Sequence, residues 1–133
     1  MAAASILVAV SKPAQARLGA ILAGHDLAFA STSREVRALM AARRFDLVIL
    51  GTHFAESSMF DVLESVIGQS HCPVVCLQAV PFSHGLGKSS FEAFRSASMA
   101  LGASLVLNLV ELADDAQVRA LLEAQIPGLV TRA

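Results

Sequence analysis

Residues 85–90 (GLGKSS) combine glycine, lysine and serine in a way that suggests phosphate binding. The segment follows an apolar run and precedes a helical pattern, as phosphate-binding loops do. The full pattern requires glycine six residues before the lysine, and Phe82 stands there instead. We therefore interpret the segment as a connection in which Ser89 caps the next helix. Weak anion binding by the exposed amides of that helix is the alternative.

His71, Cys72 and Cys76 lie close together and raise the question of a metal or redox site. A zinc site would need a second pair of Cys or His ligands, which this cluster lacks. Two cysteines are also too few for a disulfide framework, so we interpret both as reduced, buried thiols. A redox function would require an exposed thiolate, and only Cys72, at the entrance of a predicted strand, is placed for exposure.

The histidines give no clear catalytic arrangement. His53 follows a predicted strand and could titrate near neutral pH, although a surface position is the more common case. His25 and His84 are interpreted as turn and loop residues. No Gly-x-Ser-x-Gly segment is present to indicate a serine nucleophile. We therefore predict no enzymatic activity, no catalytic residue, no cofactor and no metal.

Composition predicts one globular domain. The chain has 133 residues, 55% hydrophobic and 16% charged, which excludes a disordered chain and allows a real core. We expect a single domain over residues 1–133. Ten basic and eleven acidic residues, with no Trp or Tyr, argue against nucleic-acid binding. No apolar run approaches the roughly 18 residues that span a bilayer, so we expect a cytoplasmic protein without membrane attachment.

Apolar runs alternate with helical patterns along the chain. Four short runs without polar interruption are typical of strands that are buried on both faces, and a fifth run alternates and suits an edge. The predicted strands are 6–10, 26–30, 47–50, 73–77 and 105–107. Helical spacing and capping residues predict a helix after each strand, including capping boxes that begin at Thr32, Ser89 and Asp114. The pattern predicts an α/β domain with a mostly parallel sheet.

Four segments resemble the receiver domain of bacterial response regulators, and the resemblance extends over most of the chain. Residues 6–13 (ILVAVSKP) resemble the family's ILVVDDDP, and residues 46–51 (DLVILG) resemble DLVILD, which ends on the phosphoacceptor. Residues 73–79 (PVVCLQA) resemble PVIVLTA, and residues 101–103 (LGA) resemble AGA. The resemblance implies a flavodoxin-like, three-layer fold with five helices and a five-stranded parallel sheet in the order 2-1-3-4-5.

The functional positions of that family carry other residues in this chain. The family's acidic pair, phosphoacceptor, hydroxyl residue and lysine fall on Val10, Ser11, Gly51, Gln78 and Leu109. The lysine position falls on Asn108 if the register shifts by one. Glycine has no carboxylate to accept a phosphoryl group, and Val10 and Ser11 offer no carboxylate to Mg²⁺. The resemblance is therefore to a degenerate pseudo-receiver.

Two functions are predicted. The first is a phosphorylation-independent signalling module that binds a protein partner, with homodimerisation through the fourth helix, fifth strand and fifth helix as the form that the resemblance implies. Phe91, Arg95 and Met99 are candidates for that face. The alternative is a sensor for a small ligand or anion. Such a ligand would occupy the space beside Gly51, and the pocket would be formed by Lys12, Thr52, His53 and Gln78.

Overall fold

A parallel sheet organises the protein. The computed structural model describes residues 3–51, 59–69, 72–78 and 87–126, and within them five strands lie in the order β2-β1-β3-β4-β5. The strands are β1 (Ser5–Ala9), β2 (Asp26–Ala30), β3 (Leu47–Gly51), β4 (Val74–Gln78) and β5 (Leu105–Asn108). All neighbouring pairs are parallel. The predicted strands and their order are confirmed, with boundaries that differ by at most one residue.

Five helices in the described residues connect the strands and cover the sheet. They are α1 (Lys12–Ile21), α2 (Ser33–Ala42), α3 (Met59–Gln69), α4 (Gly87–Leu101) and α5 (Asp115–Glu123). Side chains of β1 alternate between two hydrophobic clusters. Ile6 and Val8 pack with residues of α1 and α5, whereas Leu7 and Ala9 pack with residues of α2, α3 and α4. The architecture is the predicted three-layer α/β fold.

Local chemistry sets two of the helix starts. The Thr32 hydroxyl accepts a hydrogen bond from the Glu35 N–H (3.1 Å), and the Glu35 carboxylate accepts one from the Ser31 N–H (2.9 Å). This second bond lowers the pKa of Glu35. At α5, the Asp114 carboxylate accepts from the N–H groups of Ala116 and Gln117. The predicted helix starts at Thr32 and Asp114 are confirmed, whereas the one at Ser89 is wrong, because α4 begins two residues earlier, at Gly87.

The amino ends of the strands are tied together by His25, which the sequence suggested was a simple turn residue. Its buried ring accepts a hydrogen bond at Nδ1 from the Ala4 N–H (2.9 Å). Because Nδ1 is the acceptor, Nε2 carries the proton and donates to the Glu123 carboxylate (2.8 Å). Arg119 pairs with the same carboxylate and donates to the Ile21 and Ala23 carbonyls. The carboxyl end of α5 is therefore held against α1 and β1.

Among the residues that the structure describes, no helix is both long enough and apolar enough to cross a membrane.

The Thr32 cap gives a direct test of the local energetics. We expect Thr32→Ala to lower the free energy of unfolding by about 1 kcal/mol, because the Glu35 N–H loses its acceptor. Thr32→Ser keeps the hydroxyl and should remain close to the original stability. Urea unfolding followed by circular dichroism measures both variants. Equal losses in the two variants would contradict the assignment of the cap.

Candidate functional site

The carboxyl ends of β1 and β3 meet at an apolar contact. The register pairs Ala9 with Leu50, so Val10 and Gly51 follow as neighbours at the end of the two central strands. A Cβ atom at Gly51 would lie 3.1 Å from Val10 Cγ1 and 3.3 Å from Val10 Cα. Val10 is 1% exposed and Gly51 is buried. A side chain at position 51 would thus begin in tight contact with Val10, which would have to shift by a few tenths of an ångström.

β4 ends in a buried glutamine, and a buried leucine follows β5. Gln78, the last residue of β4, is 4% exposed, and its main-chain carbonyl accepts a hydrogen bond from the Leu109 N–H (2.8 Å). Leu109 is 2% exposed and packs in the cluster beneath α1 and α5. Asn108 is half-buried, and its side chain accepts from the Val110 N–H (3.1 Å). A leucine therefore fills the buried position that follows β5.

These residues do not fit a Mg²⁺ site. Mg²⁺ binds hard oxygen ligands, usually one or two carboxylates among them. Val10 and Gly51 supply no side-chain oxygen, and Ser11, the residue before α1, supplies only a hydroxyl. Elsewhere in the described ranges, no group of three His, Cys, Asp or Glu side chains is placed to hold a metal ion.

Only half of the predicted ligand pocket lies in the part of the chain that the structure describes. Lys12 is exposed at the start of α1 and Gln78 is buried in the sheet, whereas Thr52 and His53 lie outside the described residues. On one side of Gly51, Val10 comes within 3.1 Å of the Cβ position and narrows the space expected beside the glycine. The structure therefore gives no support to the ligand-sensor hypothesis.

An arginine on α1 holds the connection between β5 and α5, here named the β5–α5 loop (residues 109–114). Arg17 donates to the Leu109 carbonyl from Nη1 (2.8 Å) and to the Leu112 carbonyl from Nη2. It also donates to the Asp115 carboxylate from Nε (3.1 Å) and Nη2 (3.0 Å). One guanidinium thus binds two main-chain carbonyls of the loop and the side chain of the first residue of α5. The sequence analysis missed Arg17, because its partners lie more than 90 residues away.

Two of the three residues predicted for an interaction face are exposed. Arg95 is exposed, and Met99 is 44% exposed on the same helix, α4. Val110, in the β5–α5 loop, is also 44% exposed and was not predicted. Phe91 is only half-exposed, because its ring packs against Phe94 (6.0 Å between centroids) and against the core cluster. Phe91 therefore belongs more to the core than to the face.

Of the remaining chemical candidates, Cys76 is inaccessible, Cys72 is partly exposed, and the others lie outside the described side chains. Cys76 is fully buried in β4, and burial raises the pKa of its thiol to about 12, with a smaller opposing effect from the Ser98 hydroxyl. Cys72 is partly exposed before β4. His71, His84 and residues 85 and 86 lie outside the described residues. Of residues 87–90, only the helical backbone is described.

A sheet of this order with helices on both faces is the fold of CheY-like receiver domains, and solved structures of that class are similar to this chain. The chemotaxis protein CheY4 of Vibrio cholerae is 20% identical, with a TM-score of 0.73 over 94% of this chain and 100% of that protein. A CheY-like receiver domain protein of Methanospirillum hungatei is 12% identical, with a TM-score of 0.74 over 99% and 100%.

A third similar structure carries the phosphorylated form of its class. It is a response regulator from Burkholderia pseudomallei with a phosphorylated aspartic acid, 16% identical, with a TM-score of 0.68 over 96% of this chain and 69% of that one. No protein-family model and no curated protein matches the sequence. Identities this low establish the fold, and the fold hosts many functions.

Arg17 gives a test of the loop. In Arg17→Ala the carbonyls of Leu109 and Leu112 lose a charged donor, so amide hydrogen exchange across residues 109–115 should become at least about fivefold faster, equivalent to about 1 kcal/mol. Glu64→Ala, which removes an exposed charged side chain on α3, is the control and should leave that exchange unchanged. Unaltered exchange in Arg17→Ala would show that the loop does not depend on this side chain.

A second test asks whether the buried Cys76 thiol can react in the native protein. A thiol with a pKa of about 12 is ionised in on the order of 1 molecule in 10,000 at pH 8. In Cys72→Ser, iodoacetamide should therefore leave the native protein unlabelled and label it only in denaturant, as intact mass would show. Cys76→Ala, which keeps the partly exposed Cys72, should label in the native state. Rapid native labelling of Cys76 would contradict its assignment as an inert core thiol.

Proposed function

We propose that the chain is a pseudo-receiver of a two-component signalling system, which acts in the cytoplasm by binding a protein and not by accepting a phosphoryl group. The receiver fold supports the signalling class. The packing of buried Val10 against Gly51 is the observation that carries the phosphorylation-independent part. Phosphoryl transfer to a receiver needs a carboxylate nucleophile and a charge-stabilising cation. The described residues at these strand ends, which are Val10, Ser11, Gly51, Gln78 and Asn108, include no carboxylate to accept a phosphoryl group or to bind Mg²⁺.

The surface proposed for the partner is the α4–β5–α5 face, defined by exposed residues of α4, the β5–α5 loop and α5. Two large apolar side chains, Met99 and Val110, are exposed there. Exposed apolar groups surrounded by polar residues are typical of protein interaction sites. We expect the partner to contact this pair and Arg95 beside it.

Fixed geometry of this face supports constitutive binding. Arg17 holds the β5–α5 loop and the amino end of α5, while His25 and Arg119 hold its carboxyl end. A phosphorylation switch requires an element with two arrangements that a phosphoryl group can bias. Here α5 is tied to α1 at both ends by hydrogen bonds that need no modification. We therefore propose one lasting conformation of the face.

Acetyl phosphate tests the proposal. With Mg²⁺ present, we expect no phospho-adduct on the wild-type chain or on Gly51→Asp, as measured by intact mass at neutral pH. The new carboxylate would lack metal ligands, and its Cβ would press against Val10. The Burkholderia pseudomallei response regulator, known with a phosphorylated aspartic acid, is the positive control.

The wild-type chain and Gly51→Asp test different parts of the proposal. An adduct on the wild-type chain would overturn phosphorylation independence itself. An adduct on Gly51→Asp alone would show that the carboxylate is sufficient, and that the missing metal ligands are not the obstacle.

A further inference from the structure

The charges of the chain are divided between its two halves. Residues 1–51 contain six Lys or Arg and three Asp or Glu, while residues 52–133 contain four and eight. The near-neutral total of -1 therefore conceals a positive first part and a negative second part. The topology places β2 at one edge of the sheet and β5 at the other, with α2 packed beside β2 and α4 beside β5. The division along the sequence becomes a division in space.

The basic edge is defined by Arg34, Arg37 and Arg44, on and just after α2. All three are exposed, and none forms an ion pair with the described residues. The nearest acid in the helix, Glu35, turns its carboxylate toward the amino end of α2, where it accepts from the Ser31 N–H. The positive charge of these three side chains is thus left unmatched among the described residues.

The acidic edge is defined by Glu92 on α4 and by Glu111 and Asp114 in the β5–α5 loop. These side chains are exposed, and within the described ranges none of them forms an ion pair. The neighbouring acids are different, since Asp115 pairs with Arg17 and Glu123 pairs with Arg119. Met99 and Val110 supply exposed apolar surface at the same edge. Arg95 reduces the negative charge without cancelling it.

We propose that the acidic edge of one copy binds the basic edge of a second copy, in a head-to-tail arrangement. This inference rests on the proposed function, since it assigns an occupant to the α4–β5–α5 face. A symmetric dimer through that face would bring two acidic surfaces together, whereas a head-to-tail contact pairs opposite charges.

A head-to-tail contact has a consequence that a symmetric one lacks. Each added copy leaves one acidic and one basic edge unoccupied at the ends, so association continues unless the subunits close into a ring. We therefore expect the average mass to rise with concentration beyond a dimer. Because the contact depends on exposed charges, it should weaken as salt shortens the screening length to about 8 Å at physiological ionic strength.

Two variants separate the edges. Arg34→Ala with Arg37→Ala removes the basic edge, and Glu92→Gln with Glu111→Gln removes the acidic edge. Each variant alone should be monomeric in sedimentation velocity, with association at least about tenfold weaker than wild type. An equimolar mixture should form a complex of two chains and no larger species, because each variant keeps one functional edge. Asp61→Asn with Glu64→Gln, on the exposed surface of α3, changes the net charge by the same amount as the acidic-edge variant and should assemble normally.

Three results would overturn the inference. They are a wild-type chain that stays monomeric at all concentrations, a mixture of the two edge variants that does not associate, and a closed dimer that only the acidic-edge variant disrupts. The last result would identify the symmetric dimer. Each of these outcomes leaves the proposed function standing, because that proposal fails only by phospho-adduct formation, which the acetyl phosphate experiment measures separately. Circular dichroism of each variant confirms that the fold is retained.

Discussion

The structure depends on the burial of β1 and β3 from both faces of the sheet. Their side chains alternate between two hydrophobic clusters, so neither strand has a solvent face. In this chain the apolar pairing continues one residue past the strands, where Val10 lies against Gly51. At this point an apolar contact of the core lies at the end of the sheet where α/β proteins usually bind ligands. The proposed phosphorylation independence therefore rests on the packing of β1 against β3.

Polar contacts hold α5 and the β5–α5 loop in position. Arg17 satisfies carbonyls of the β5–α5 loop, and the neutral His25 ring joins the Ala4 amide to the Glu123 carboxylate. Both contacts join α1 or its following turn to α5. Charge-assisted hydrogen bonds with several acceptors are stronger and more directional than single neutral ones. They orient α5 and, with it, the face that we propose binds a partner.

The sequence predicted the sheet well because strand burial is a local property. Apolar runs located each strand to within a residue, and the resemblance supplied the strand order. The residues at the strand ends could be aligned, but the contact of Val10 with Gly51 depends on register and side-chain volume, which the alignment does not contain. His25 and Arg17 were misread or missed because their partners are up to 98 residues distant. A lone histidine or arginine carries no signal of such a partner.

Under the proposed function, phosphorylation cannot determine specificity. A receiver that accepts a phosphoryl group can select partners by changing conformation, whereas a domain without that switch must rely on the surface it always presents. In this chain the exposed charges proposed for binding have opposite signs at opposite edges of one sheet, and Met99 and Val110 are exposed apolar side chains. Charge complementarity contributes mainly to orientation and to the rejection of wrong partners, while apolar contacts supply affinity. A fixed fold with divided charge can therefore discriminate between partners without a switch.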